Sequence, residues 1–169
     1  MEPAFFERPA DGYCNLFEDL LRRGLSIRVR VTGCSMAPFL KGGEVLTIKP
    51  AHPASLRRGD LIFYKDGCGA PVLHRLVRMD RSCAETVTIQ TKGDALPACD
   101  APISHEEILG KVCRVEYGGP DSKGRCLDME TFFRRDLNYL VATKSLMQAM
   151  IHRILSAGLS RLRPSGGRP

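Results

Sequence analysis

Between residues 27 and 117, apolar and polar residues alternate over short stretches, as they do in half-buried β-strands. Glycine, proline and aspartate separate these stretches and mark the turns between them. The alternation predicts six strands, at residues 27–31, 45–48, 61–64, 72–77, 86–90 and 110–117. Six short strands with tight turns favour a small, mainly β domain whose antiparallel sheet is coiled or barrel-like.

A helical period flanks this β region on both sides. Residues 11–24 predict a short N-terminal helix with Asp11 as a candidate cap and Gly24 as its end. Its predicted packing face consists of Leu16, Phe17, Leu20 and Leu21.

The period returns from Asp128 to Leu162, which predicts one long amphipathic helix, or two with a boundary near residues 143–145. Its apolar residues are expected to pack: Phe133, Leu137, Leu140, Val141, Met147, Met150, Ile151, Ile154 and Leu155. The chain then divides into an N-terminal helical segment (1–25), a β domain (26–118), a helical appendage (127–163) and a frayed tail (164–169).

The composition is that of an ordinary globular chain, since 43% of the 169 residues are hydrophobic and 26% are charged. The net charge of +6 is uneven, because residues 127–169 hold seven Lys or Arg against three Asp or Glu, a net +4. No nucleic-acid-binding motif accompanies this excess, so nucleic acid is not an expected partner. The basic part could instead be a solvated helix face, a contact with an anionic membrane surface, or a docking face for a partner protein.

Seven cysteines are widely spaced, and no Cys-x-x-Cys pair occurs. This spacing predicts neither a disulfide framework nor structural zinc, and no metal ion or cofactor is expected. The sequence lacks the basic start and apolar core of a signal peptide and any run of about 18 apolar residues. We therefore expect a cytoplasmic protein that is at most peripheral to a membrane.

A serine lies in a short turn directly after the first predicted strand, in the segment Gly33-Cys34-Ser35-Met36-Ala37-Pro38. Gly33 allows a close approach of the backbone, and Pro38 restricts the direction in which the chain leaves the turn. Such a turn could present the Ser35 hydroxyl as a nucleophile. The alternative is an ordinary turn serine that bonds to its own backbone, and Cys34 is a rival nucleophile with buried packing as its simpler explanation.

A serine nucleophile needs a base within hydrogen-bond reach and a third group that orients the base. Three of the four histidines lie in a proline-rich loop (His52), at a helix start or turn (His105) and in the C-terminal helix (His152). His74 lies in a predicted strand, where its side chain could reach a facing turn. Asp94 and Asp100 follow the strand at 86–90, and either could cap a turn or orient His74.

Together these segments resemble the ordered motifs of signal peptidase I. The motifs are residues 33–40, 58–62, 72–75, 91–94 with Asp100, and 109–112, within a match that covers roughly residues 27–116. The resemblance is closest to the archaeal, endoplasmic-reticulum and sporulation-type branch, which uses a histidine base. The bacterial housekeeping branch and the related LexA-type autoproteases use lysine. The implied fold is a β domain of the signal peptidase and LexA-protease type.

The resemblance implies a serine endopeptidase in which Ser35 is the nucleophile, His74 the general base and Asp100 the orienting carboxylate. Asp94 matches a second acidic position. The Ser35 backbone N–H would be an oxyanion donor, and the surrounding turn, Gly33, Cys34, Met36 and Pro38, would contact substrate. Family substrates are extended peptides with small residues at the first and third positions before the cut, and they bind as an added β-strand.

Two features depart from the family pattern. Gly43-Glu44 stands where Gly-Asp is usual, and the expected membrane anchor is missing. The reaction class is therefore better supported than the biological role. Two alternatives stay open: a non-catalytic peptide-binding module on the same fold, and a self-cleaving regulator of LexA type.

Overall fold

A computed structural model describes residues 3–6, 13–83, 86–118 and 124–161. The described chain is mainly β, with two α-helices and single turns of 3-10 helix at Pro53–Ser55 and His105–Glu107. The helices are α1 (Cys14–Arg22) and α2 (Phe132–Arg161). The strands are β1 (Ala4–Phe6), β2 (Ile27–Arg30), β3 (Val45–Pro50), β4 (Leu61–Lys65), β5 (Pro71–Cys83), β6 (Thr86–Lys92), β7 (Ile108–Glu116) and β8 (Cys126–Asp128).

The described strands form one mixed sheet in the order β1-β2-β3-β7-β4-β5-β6, with β8 paired to β7. All pairs are antiparallel except β1–β2, which is parallel. All six predicted strands are present, so the prediction of a mainly β fold is confirmed. Sequence alternation missed β1 and β8 because three residues are too few to show a period of two.

The hydrophobic core lies mainly between α1 and the sheet. Phe17 and Leu21 of α1 are buried there with Ile27, Leu46 and Val115. The predicted face of α1 is partly wrong, because Leu16 is exposed whereas Cys14 is buried. The predicted cap Asp11 lies outside the described residues. A second cluster on the β4–β5–β6 part of the sheet contains Leu56, Ile62, Leu76, Ile89 and Ile103.

The C-terminal segment is one continuous helix through residue 161, so the alternative with a break at residues 143–145 is wrong. It packs through small and polar side chains, which are Asn138, Ala142, Ser145 and Ala149. Most of the large apolar residues that were expected to pack are exposed instead: Leu137, Leu140, Met147, Met150, Ile151, Ile154 and Leu155. Among the described residues, no helix is long and apolar enough to cross a membrane. A contact of this exposed face with a membrane surface or a partner protein stays a prediction.

Close approach of α2 to the turn before β4 explains why small residues face inward. Gly59 in that turn has φ +100°, and a Cβ atom there would lie 2.6 Å from the Asn138 carbonyl carbon and 2.8 Å from its oxygen. Real Cβ atoms do not come so near to backbone atoms. The helix therefore depends on the missing side chain at Gly59 to reach the sheet.

We expect Gly59→Ala to destabilise the protein more than a glycine replacement with the same backbone strain but open space around it. Gly69 is the matched control, because its φ is +81° and a Cβ atom added there would meet no atom within 4 Å. Gly69→Ala should cost about 1–2 kcal/mol from the left-handed backbone alone, and Gly59→Ala a further ~1–3 kcal/mol from overpacking. Urea unfolding measures both. Equal losses would contradict the close packing of α2.

Candidate active site

The turn that carries Ser35 is anchored to the core by residues that follow the serine. Ala37 N–H donates to the Cys34 carbonyl at 3.0 Å, and Leu40 N–H donates to the Met36 carbonyl at 2.9 Å. Met36 and Leu40 are buried, whereas Ser35 is partly exposed. The hydroxyl is therefore held at the surface by a turn whose apolar residues lie in the core.

His74 connects this turn to Asp100. The His74 side chain is buried on β5, its Nε2 lies 3.1 Å from Ser35 Oγ, and its Nδ1 lies 2.7 Å from Asp100 Oδ2. In the tautomer that suits both contacts, Nδ1–H donates to the carboxylate and Nε2 accepts from the serine hydroxyl. The structure thus brings Ser35, His74 and Asp100 into one hydrogen-bonded chain.

Three side chains bond to the Asp100 carboxylate, and one further hydrogen bond holds its backbone. Its Oδ2 accepts from Thr91 Oγ1 at 2.7 Å and from the Tyr64 hydroxyl at 3.2 Å, in addition to His74. Its N–H donates to the Thr91 carbonyl at 2.9 Å. Burial acts to raise the pKa of Asp100, but the hydrogen bonds from His74, Thr91 and Tyr64 hold that pKa below its ordinary value. The carboxylate is therefore ionised at neutral pH and can stabilise a protonated His74.

Tyr64 remains a hydrogen-bond donor to this carboxylate at any ordinary pH. Burial, with a further contribution from the neighbouring Asp100 charge, raises the pKa of Tyr64 to about 12. Neither Tyr64 nor Thr91 was assigned a role from the sequence. Thr91 is the first residue of the Thr-Lys-Gly-Asp motif, so its position in the motif could have marked it as a candidate site residue. A threonine in a strand, however, gives no indication of which group it will contact.

Asp94 does not contact His74. It binds Arg75, whose Nε and Nη2 donate to the two Asp94 oxygens at 2.9 and 2.6 Å. Arg75 is fully buried, and only 5% of the Asp94 side chain is exposed. Because neighbouring residues of a strand point to opposite faces, Arg75 lies behind the sheet while His74 faces Ser35. Of the two acids that the sequence left open, Asp100 is the one hydrogen-bonded to the histidine.

The same arginine reaches three further parts of the chain. Its Nη1 donates to the Gly59 carbonyl at 3.1 Å and to Asn138 Oδ1 of α2 at 3.4 Å. Its guanidinium carbon lies 5.1 Å from the centre of the Phe39 ring, which belongs to the Ser35 turn. Arg75 is the last residue of the motif at residues 72–75, but no role was inferred for it from the sequence.

The turn after β6 touches the backbone of Ser35 directly. Ala95 N–H donates to the Ser35 carbonyl at 2.9 Å. A Cβ atom at Gly93 would lie 2.8 Å from the same carbonyl oxygen, so only glycine fits at this position. The Lys-Gly-Asp segment therefore supports the serine from behind, through its glycine and the residue that follows Asp94.

An apolar cavity of about 320 Å³ opens beside Ser35 and His74. Of the predicted substrate-binding residues, Gly33 and Met36 line it, whereas Cys34 and Pro38 are exposed outside it. The apolar side chains that line it are Val29, Val31, Met36, Leu46, Ile48, Phe63, Val72 and Leu73. A larger cavity of about 880 Å³, near Arg28 and Cys113, contains none of the predicted site residues.

The described residues contain no group of three or more His, Cys, Asp or Glu side chains that could hold a metal ion. Comparisons of the chain with protein-family models, with curated proteins and with solved structures found no match. The resemblance to signal peptidase I therefore stays a prediction based on sequence motifs.

We expect Arg75→Met to lower the free energy of unfolding by about 3–5 kcal/mol, because it leaves the Asp94 carboxylate buried without its cation. The matched control is Arg23→Met, which removes the exposed partner of Asp19 and should cost at most about 0.5 kcal/mol. The double variant Arg75→Met/Asp94→Asn should lose less than the sum of the single losses. Similar losses for Arg75→Met and Arg23→Met in denaturant unfolding would contradict the central role of this ion pair.

The depressed pKa of Asp100 predicts how the stability of the protein depends on pH. The unfolded value is near 3.8 and the folded value is lower, so the contribution is complete above about pH 5 and declines as pH falls through the folded-state pKa. We expect the difference in unfolding free energy between wild type and Asp100→Asn to shrink as pH falls from about 5 through the folded-state pKa of Asp100. The other acids are common to both proteins and cancel. A difference that does not change with pH would contradict the prediction.

Proposed function

We propose that the protein is a serine endopeptidase in which Ser35 is the nucleophile, His74 the general base and Asp100 the orienting carboxylate. The observation that carries the proposal is the continuous chain of hydrogen bonds Ser35 Oγ–His74 Nε2 and His74 Nδ1–Asp100 Oδ2, at 3.1 and 2.7 Å. These are the contacts that activation of a serine hydroxyl requires. The chain ends at an open apolar cavity, where a substrate could reach the hydroxyl.

The reaction follows from these contacts. Ser35 Oγ attacks the scissile carbonyl carbon while His74 Nε2 takes the hydroxyl proton, and Asp100 stabilises the imidazolium that forms. The tetrahedral intermediate collapses when His74 gives the proton to the leaving amine, which leaves an acyl group on Ser35. Water then attacks this ester with His74 again as the base, and His74 returns the proton to Ser35 Oγ as the acyl bond breaks, which releases the acid product and regenerates the Ser35 hydroxyl.

An extended peptide could bind along a strand edge next to the nucleophile. Residues Pro71 to His74 pair with β4 on one side, whereas the pairing of β5 with β6 begins only at Arg75. This segment and residues 29–33 both line the cavity. A peptide added here as a strand would place alternate side chains in the apolar cavity. The Ser35 backbone N–H is the proposed oxyanion donor.

We also propose that the fold and the activity are of the signal peptidase type, in the branch that uses a histidine base. This proposal is supported by the position of His74, because that residue stands where LexA-type autoproteases have lysine. The buried Lys92 points away from the nucleophile, with its Nζ bonded to Gly93 and to Ser145 of α2. The substrates proposed from the resemblance are extended peptides with small residues at the first and third positions before the cut.

A fluorophosphonate probe, which phosphonylates activated serines, tests the nucleophile without knowledge of the natural substrate. We expect stoichiometric labelling of wild type at Ser35, none in Ser35→Ala, and labelling slower by roughly 10⁴-fold in His74→Ala. Ser55→Ala, which changes an exposed serine in a 3-10 turn, is the matched control and should react like wild type. Cleavage of a defined peptide mixture, followed by mass spectrometry, then identifies the residues around the cut.

Cys34→Ser separates the two candidate nucleophiles, because the variant removes the neighbouring thiol and keeps Ser35. Labelling and cleavage that survive this change would assign the chemistry to Ser35. An unreactive wild type that still binds peptides would overturn the proposal in favour of a binding module without catalysis.

A further inference from the structure

Helix α2 presents two polar side chains to the back of the strands that carry the candidate site. Asn138 and Ser145 are both about 4% exposed, and they lie among the small residues of the docked face. Asn138 accepts from Arg75, and Ser145 contacts Lys92. Arg75 follows His74 on β5 and Lys92 follows Thr91 on β6. The helix therefore touches the strands directly behind two members of the hydrogen-bonded site.

The contact between Lys92 and Ser145 is buried. Lys92 is about 1% exposed, and its Nζ lies 2.9 Å from Ser145 Oγ and 3.2 Å from the Gly93 carbonyl. Burial lowers the pKa of Lys92, but both the charged and the neutral amine can donate to these oxygens. A buried amine that loses a partner is costly, so Ser145 constrains where the Lys92 side chain can lie.

Lys92 passes this constraint to the turn at residues 93–96. Its amine bonds to the carbonyl of Gly93. Gly93 itself packs against the Ser35 carbonyl oxygen so closely that a Cβ atom would not fit. Ala95, in the same turn, donates its N–H to that Ser35 oxygen. Three contacts thus connect α2 to the Ser35 backbone, from Ser145 to Lys92, from Lys92 to Gly93 and from Gly93 to Ser35.

A second route leads to the same turn. Arg75 binds both oxygens of Asp94, which lies between Gly93 and Ala95, and its Nη1 bonds to Asn138. Two basic side chains from adjacent strands therefore hold one turn, and each has a neutral partner on α2. The two partners are seven residues apart, two helical turns, and so lie on the same face of the helix.

We propose that α2 is a positioning element for the reaction, in which Ser145 and Asn138 hold the turn at 93–96 through Lys92 and Arg75 and so place Ser35 relative to His74. The inference rests on the proposed function. Neither residue contacts the reacting groups, so both are positioning residues. A displacement of the nucleophile by a fraction of an ångström is enough to slow an attack that depends on alignment.

The test compares the rate at which Ser35 reacts with the fluorophosphonate probe. We expect Ser145→Ala to lower the limiting rate of labelling on the order of tenfold, with little change in the probe concentration at half-saturation. Ser156→Ala is the matched control, because Ser156 is an exposed residue of α2 whose hydroxyl bonds only to carbonyls of its own helix. It should react like wild type.

Two further variants distinguish positioning from a general loss of stability. If Ser145 acts through Lys92, then Ser145→Ala should have no additional effect in a Lys92→Met background. Asn138→Ala should slow labelling in the same way, whereas Gln148→Ala, which changes an exposed amide of α2, should not. Thermal unfolding of each variant confirms that the rates refer to folded protein.

The outcomes separate the two proposals. A wild type that labels at Ser35 while Ser145→Ala and Asn138→Ala label at the same rate would overturn the role of α2 and leave the peptidase proposal intact. Additive effects of Lys92→Met and Ser145→Ala would also overturn it. No labelling of wild type would remove the proposed function and this inference with it.

Discussion

The buried ion pair between Arg75 and Asp94 is the interaction on which the rest of the structure depends. A guanidinium and a carboxylate without solvent are costly unless each finds several hydrogen bonds, and here Arg75 finds them on the turn before β4, on the turn after β6 and on α2. It also lies against Phe39 of the Ser35 turn. The requirement to satisfy one buried cation therefore fixes the relative positions of the elements around the candidate site.

The two faces of the β5–β6 pair have different tasks. His74 and Thr91 face Ser35 and Asp100, whereas the next residues along each strand, Arg75 and Lys92, face α2. Alternation of side chains makes this division unavoidable, and it also couples the faces, because a shift of either strand moves both. The polar residues of the site are thus supported by polar residues behind them.

The C-terminal helix shows where a sequence pattern misleads. Its large apolar residues recur at helical spacing, which predicts that they pack, yet the docked face consists of Asn138, Ala142, Ser145 and Ala149. Two features that the spacing of apolar residues does not show decide which face of α2 packs on the sheet. The backbone at Gly59 comes too close for large side chains, and the buried Arg75 guanidinium and Lys92 amine need oxygen partners. Periodicity identifies a helix with two faces, but it does not say which face is docked.

The sequence by itself determined the six main strands, both helices and the short list of candidates Ser35, His74, Asp94 and Asp100, because alternation, turn residues and motif order are local properties. It did not determine β1, the strand order or the choice between the two acids. Those depend on contacts between residues far apart in the chain, such as Ser35 with His74 and His74 with Asp100. Only the tertiary structure decides that Asp100 is hydrogen-bonded to His74 and that Asp94 is paired with Arg75. The physical reason is that strand register, and the face of the sheet on which each side chain lies, determine which polar groups come into contact.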